Sequence, residues 1–238
     1  MNLILFEERK SHYTLSTGDP RFDHIRGVLK LGVGDAFMVG AVDGPRGDAE
    51  ILKIEKTAIE VAITWDREAM PPPPEIHLIL AIPRPATARK VLFDATTLGV
   101  HSFHFFAAEK GDPSYEKSSL WTEEKWRSHI FKGAEQAFNT AIPKVTVSKS
   151  LDKALTLAST VRTRAALDVY EGTTPYSACT VELPMALAIG GERGWSPRER
   201  TTLRQAGFSL YTLGDRVLRV ETAVTAALAL TLAKIGCV

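Results

Sequence analysis

The sequence predicts an α/β protein in two parts, a small β-barrel followed by a larger domain on a mainly parallel sheet. Four consecutive prolines, Pro71, Pro72, Pro73 and Pro74, interrupt the chain, and such a run cannot sit inside a helix or a central strand. Before it, short alternating apolar segments are punctuated by glycines. After it, apolar runs of strand length alternate with helical segments, the order that yields a parallel sheet flanked by helices. These shifts place one domain at 1–70 and a second at 75–238.

In the first part, strands are predicted at 35–39, 49–54 and 58–63, with Gly32, Gly34, Gly40, Gly44 and Gly47 supplying turns. Residues 24–29 read as a short helical piece leading into the first turn. The outcome is a compact barrel of about 65 residues, a size at which a lone domain is marginal. In the second part, a buried strand at 76–82 is followed by a helix at 87–98 and a strand at 102–106. A polar loop then leads to a helix at 123–138 and a short strand at 144–147. A helix at 151–160 and strands at 164–170 and 185–189 come next. Ser196 is a good N-cap, Pro197 suits the first helical position, Glu199 closes a capping box and Gly207 ends that helix. A strand at 208–211 and a helix of small residues complete the chain.

At 45% hydrophobic and 24% charged, the chain has enough apolar material for a core without a metal or disulfide staple. Cys179 and Cys237 lie far apart and match no zinc spacing, so both read as free thiols and no metal is expected. The apolar run at the N-terminus meets Glu7 and Glu8 at once, too short for a signal peptide. The stretch 223–233 falls short of the roughly 20 residues that a span requires. We therefore expect a cytoplasmic protein with no membrane partner. The net charge of +1 names no partner, since 29 basic residues can cluster on one face while acids cover the other.

Four segments carry candidate chemistry. In the first, Ile189-Gly190-Gly191-Glu192-Arg193-Gly194-Trp195, a strand runs into a glycine loop ahead of a helix start. Such a loop lets backbone amides approach a ligand, though alone it is as often a tight turn. The second, Leu213-Gly214-Asp215-Arg216-Val217-Leu218-Arg219-Val220-Glu221-Thr222-Ala223, puts much charge between a buried strand and an apolar helix. A solvated helix start, with Glu221 answering the dipole, explains it equally well. The third is Thr97-Leu98-Gly99-Val100, by itself a plain C-cap. The fourth runs from Ala134 through Glu135, Gln136 and Asn139 to Pro143.

In this order and spacing the four segments resemble the RsmE family of 16S ribosomal RNA uridine-N3 methyltransferases, of the SPOUT superfamily. That family carries an Ile-Gly-Pro-Glu-Gly-Gly-Phe-Ser loop, a Leu-Gly-x-Arg-Ile-Leu-Arg-x-Glu-Thr-Ala segment, a Glu-Leu-Gly-Val piece and an Ala-Glu-Gln-Ser-x-Arg helix. The run from His24 to Lys30 with Gly34-Asp35 resembles the family's PUA-like RNA-binding barrel. The resemblance covers nearly the whole chain and is most specific over 213–223. It implies a deep trefoil knot in the second domain and an active site at a homodimer interface. It also implies S-adenosyl-L-methionine as cofactor and 16S ribosomal RNA, or the small subunit, as partner.

By the same resemblance, Ile189, Gly190, Gly191, Glu192, Gly194, Leu213, Gly214, Val217, Leu218 and Ala223 would surround the cofactor, with Leu98 and Gly99 at its edge. Arg219 and Arg216 would meet the reacting base, with Glu221 orienting Arg219. His24, Arg26, Lys30, Arg84 and Gln136 would contact RNA. The chain departs from the pattern at Arg193 (a glycine in the family), Thr97 (a glutamate) and Asn139 (an arginine). Two alternatives stand beside this expectation. One is an RNA-binding or ribosome-assembly protein that kept the fold and lost or changed its methylation target. The other is a dinucleotide-binding enzyme, although the expected Gly-x-Gly-x-x-Gly is absent.

Overall fold

The computed structural model describes residues 3–238; Met1 and Asn2, at the head of the first predicted domain, lie outside the described residues. The chain forms two compact units. One comprises the chain up to Pro72 together with Ala134–Ile142, the other Pro73–Gly133 and Pro143–Val238. A boundary at the proline run does not anticipate the grouping of 134–142 with the first unit. Local bonds explain it: the Leu5 N–H donates to a Glu135 carboxylate oxygen, the Thr140 hydroxyl to the Gly44 carbonyl and the Ile142 N–H to Asp43.

The first unit contains β1 (Ile4–Phe6), β2 (His12–Ser16), the short helix α1 (Pro20–Asp23), a π-helical turn (His24–Leu29), β3 (Ala36–Ala41), β4 (Pro45–Ile54) and β5 (Ala58–Ala69). They form a curled, mostly antiparallel sheet in the order β1-β3-β4-β5-β2, in which only β1 and β3 run parallel. Alternation along β5 sends Ile59, Val61 and Ile63 inward against Phe6, Leu15, Ile25 and Val39. Gly47 is needed where β4 meets β5, because a Cβ there would lie 2.4 Å from the Thr64 carbonyl oxygen. β1 and β2 were not expected: β1 is three residues, all buried, and β2 buries only Leu15, so neither shows a period. The predicted helical piece is the π-helical turn, ended by Lys30 in a left-handed conformation.

The second unit begins with β6 (Ile76–Ala81), α2 (Pro85–Thr97) and β7 (Ser102–Phe106). The polar loop contains two single-turn helices, α3 (Pro113–Glu116) and α4 (Ser119–Thr122), before α5 (Arg127–Gln136) and β8 (Lys144–Ser148). Next come α6 (Leu151–Ala154), continued by a 3-10 segment to Thr160, then β9 (Thr163–Leu167), β10 (Thr174–Pro175) and β11 (Met185–Ile189). The chain ends with α7 (Pro197–Gln205), β12 (Ser209–Thr212) and α8 (Val220–Lys234). Seven parallel strands make one sheet, ordered β10-β12-β9-β11-β6-β7-β8. The expected parallel α/β arrangement is therefore present.

Strand alternation divides the core into two layers. Ile79, Ala81, Ala166, Ala186 and Ala188 pack with Leu151 and Ala154 of α6 and Leu203 of α7. The intervening Leu78, Leu80 and Leu187 are also fully buried, as period-two geometry requires of a sheet covered on both faces. Helices α2 and α8 pack on one another, and α8 also touches β11. This order sets the carboxyl ends of β12, β9 and β11 side by side.

At the amino ends of the strands lies a polar cluster. Ser102 Oγ is 2.7 Å from His77 Nδ1 and 2.8 Å from His104 Nε2, and Thr146 Oγ1 is 3.0 Å from His104 Nδ1. Burial first, then the neighbouring His77 and His101, pushes His104 down to about 4. A histidine held neutral by folding contributes stability that is present above pH 6.5 and is lost as pH falls toward that lowered value. The urea midpoint should fall on acidification from pH 6.5 to about 4, and His104→Gln should fall less over the same interval. Parallel pH profiles for the two proteins would contradict this.

Candidate functional site

A cleft opens where the chain leaves β9, β11 and β12, the edge at which open parallel sheets bind ligands. Its walls are 167–170 after β9, 189–195 after β11, and 212–214 and 216–218 with the first turn of α8 after β12. Of the residues expected to surround a cofactor, Ile189, Gly190, Gly191, Glu192, Gly194, Leu213, Gly214, Val217, Leu218 and Ala223 all line this cleft, and Arg216 joins them.

The glycines have local reasons. The Gly194 N–H donates to the Gly191 carbonyl at 2.9 Å, closing a turn with Glu192 and Arg193 at its corners, and Gly194 has φ +62°. A Cβ on Gly190 would come within 3.4 Å of the Gly194 backbone and the Trp195 ring. Gly214 has φ +108° with open space where a Cβ would stand, so its bare backbone is available to a ligand.

The loop after β11 is fastened from several directions. Trp195 is 1% exposed, stacks on Phe106 at 5.9 Å between centroids, and donates its indole N–H to the Leu167 carbonyl at 2.8 Å. Lys110 Nζ donates to the Trp195 carbonyl at 2.8 Å, and Ser196 Oγ to a Glu109 carboxylate oxygen at 2.5 Å. The predicted capping box of α7 is present, Ser196 and Glu199 bonding each other's backbone N–H. Glu192 turns back to accept the Arg84 N–H at 2.9 Å, so its carboxylate supplies the N-terminal cap that α2 otherwise lacks.

Three features at the cleft escaped the sequence reading: Asp168, Tyr170 and Arg200 behind them. The strand predicted over 164–170 ends at Leu167, so Asp168 stands at the carboxyl end of β9. It is 4% exposed and forms a two-pronged ion pair with Arg200, itself 7% exposed, while also accepting the Tyr170 N–H at 2.9 Å. Burial alone raises the Asp168 carboxyl, but the Arg200 guanidinium and the Tyr170 and Glu171 N–H groups together hold it below the usual carboxylate range. The Tyr170 ring is 72% exposed and lies beside the Arg200 guanidinium, 5.8 Å from centroid to Cζ. An acid ending a buried apolar strand was the available signal.

Three expectations are corrected. Leu98 and Gly99 do not reach the cleft: a helix joining parallel strands runs against them, so the end of α2 lies at the amino edge of the sheet. A Cβ on Gly99 would meet Pro73, ahead of β6. Glu221 does not orient Arg219; it faces α2 and pairs with Lys90 at 3.7 Å. Arg219 is the exposed N-cap of α8 and stands outside the cleft lining, whereas Arg216 is in it. Two of the departures have structural roles. The Thr97 hydroxyl donates to the Phe93 carbonyl at 3.0 Å and approaches that of Gly133, and Asn139 Oδ1 accepts the Ala141 N–H at 2.9 Å.

The expected RNA contacts are distributed over both units. In the first, His24 is half-buried and Lys30 and Gln136 are exposed, while the Arg26 guanidinium lies over Phe22 at 5.7 Å and donates to the Glu55 carbonyl. In the second, Arg84 is exposed at the start of α2.

Arg200→Met, which strands a buried carboxylate, should destabilise the protein by about 3–5 kcal/mol. The double variant Asp168→Leu/Arg200→Met should recover a large part of that loss in urea unfolding. Equal destabilisation in both would deny the pair its place under the cleft.

The sequence matches the family described as RNA methyltransferase domain over residues 70–232. A ribosomal RNA small subunit methyltransferase E of Treponema pallidum is 35% identical, over 98% of this chain and 91% of its own length. Its counterpart numbered E 1 in Borreliella burgdorferi is 25% identical over 99% of both. The crystal structure of a ribosomal RNA small subunit methyltransferase E from Neisseria gonorrhoeae, bound to S-adenosylmethionine, shares the fold with a TM-score of 0.82 at 22% identity, covering 98% of this chain and 97% of that one. A methyltransferase structure from Legionella pneumophila, in complex with the same cofactor, gives 0.82 at 25% identity, covering 97% and 96%. The chain belongs to the ribosomal RNA small subunit methyltransferase E family of RNA methyltransferases.

Proposed function

We infer that this protein methylates N3 of a uridine in 16S ribosomal RNA, free or in the small subunit, using S-adenosylmethionine in the cleft at the ends of β9, β11 and β12. The observation that carries the inference is the bare backbone of Gly190, Gly191, Gly194 and Gly214 around one cleft with apolar walls from Ile189, Leu213 and Leu218. That arrangement fits an adenosine flanked by main-chain donors and acceptors. The cofactor, when bound, supplies a methyl carbon made electrophilic by its sulfonium.

The chain's own residues bind, position and exclude. Uridine N3 must lose its proton to become a nucleophile, and in a base pair it is buried, so the nucleoside has to be unpaired or splayed out. Arg216 at the cleft and Arg219 just beyond it are placed to stabilise the negative charge that the ring gains. Asp168 is committed to Arg200 and is therefore assigned no proton transfer.

The same inference extends to the fold and the assembly. A SPOUT-type trefoil knot in the second unit is supported by the insertion of β11 between β9 and β6 and by the return of α8 onto α2. The first unit, with its curled five-stranded sheet, is proposed to be the PUA-like barrel that holds RNA through His24, Arg26, Lys30 and Gln136; in the second unit, Arg84 is proposed as a separate RNA contact. Thr222, Thr225, Ala229, Leu230 and Ala233 give α8 an exposed face without charge, which suits a homodimer contact. Among the described residues no helix is long and apolar enough to cross a membrane, and the proposed ribosomal substrate supports a cytoplasmic protein.

Purified protein incubated with 16S ribosomal RNA or small subunits should produce N3-methyluridine, detected by mass spectrometry of the digested nucleosides. Arg216→Ala should lower kcat about 100- to 1000-fold, the scale for removing one preorganised charge-stabilising group. A different methylated nucleoside would move the target atom, and unchanged turnover would remove Arg216 from the reaction.

A further inference from the structure

We propose that Arg193 is an RNA contact at the mouth of the cleft, taking the phosphodiester next to the target nucleoside. The proposal rests on the methyltransferase function inferred above. Glu192 and Arg193 are the two corner residues of the turn closed between Gly191 and Gly194. Glu192 folds back to α2, which leaves Arg193 as the outward corner. It is exposed and, among the described residues, makes no hydrogen bond or ion pair.

Other cations on this edge of the sheet are already engaged, Arg216 and Arg219 on the loop after β12 excepted. Arg200 is paired with Asp168, Arg198 with Glu109 at 3.5 Å, Lys90 with Glu221 at 3.7 Å, and Lys110 bonds the Trp195 carbonyl. Asp112 is the carboxylate whose charge Arg193 feels, and that carboxylate already caps α3 by accepting the Ser114 N–H at 2.9 Å. Arg193 also stands on a wall between two hollows. One is the cofactor cleft; the other is a smaller hollow lined by Lys110, Gly111, Asp112 and Tyr115.

A nucleobase delivered to the cleft brings its phosphodiesters with it. An uncommitted guanidinium offers a fork of donors that fits two phosphate oxygens and breaks no existing pair to do so. The resemblance expects a glycine at this position, so the contact belongs to this chain's own way of holding RNA rather than to the cofactor loop in general.

The test compares wild type, Arg193→Gln and Arg193→Lys in binding to transcribed 16S ribosomal RNA across a potassium chloride series, with S-adenosylhomocysteine calorimetry alongside. Loss of one phosphate contact should flatten the slope of log affinity against log salt by about 0.7–0.9 in Arg193→Gln. Arg193→Lys should keep the wild-type slope, and the S-adenosylhomocysteine Kd should stay within about twofold in both. An unchanged slope in Arg193→Gln overturns the proposal. If that unchanged slope comes with a Kd weakened about tenfold, the guanidinium serves the cofactor's carboxylate instead. Absence of S-adenosylhomocysteine binding by wild type would show the cleft assignment itself to be wrong, and the proposal would fall with it.

Discussion

Strand β11 pairs in parallel with β9 on one side and β6 on the other, setting Ile189 level with Leu167 and Leu80. All five of its residues are buried, so the strand cannot shift by one residue without driving apolar side chains onto the wrong layer. That register fixes where the chain must leave the sheet. Beyond Ile189 the backbone enters a space already bounded by the exit of β9, and β12 lies on the far side of β9. The loop then folds on itself, which requires glycine at 190, where a Cβ would crowd the Gly194 backbone and the Trp195 ring, and at 194, where φ is +62°. The cleft follows from the sheet order.

Rigidity at this edge comes from polar groups that are already satisfied. Trp195 fills the layer under the glycine loop, and its indole N–H closes onto the last carbonyl of β9. The Asp168–Arg200 pair anchors the neighbouring loop, and Glu192 ties the turn to the start of α2. Each of these charges has a partner, so the cleft cations without an ion pair among the described residues, Arg193 and Arg216, stand out in a chain whose net charge is only +1. A modest overall balance therefore coexists with a local cationic rim, the distribution that a polyanionic substrate requires.

Much of this was legible in the residues. The capping box at Ser196 has a local physical signature and is present, and the glycine loop and most of the 213–218 stretch meet at one cleft. The short strands β1 and β2 were not legible, because three buried residues or one buried leucine leave no period to read. Leu98 and Gly99 were misplaced because proximity at a site depends on which edge of the sheet a helix end occupies, a property of topology and not of spacing. The resemblance implies that Glu221 orients Arg219, but across the fold Lys90 is the cation it meets, a partner that no local pattern announces. Asp168 went unnoticed because its partner Arg200 lies 32 residues away and meets it only through packing of α7 on the sheet.

The most direct measurement is calorimetric titration of the wild type and Gly214→Val with S-adenosylmethionine and S-adenosylhomocysteine. If the loops after β11 and β12 hold the cofactor against bare backbone, wild type binds one molecule per subunit at micromolar Kd. A side chain at a φ of +108° facing that space then weakens binding at least tenfold, about 1.4 kcal/mol or more. No binding by wild type, or equal binding by both proteins, would contradict the cleft as the cofactor site.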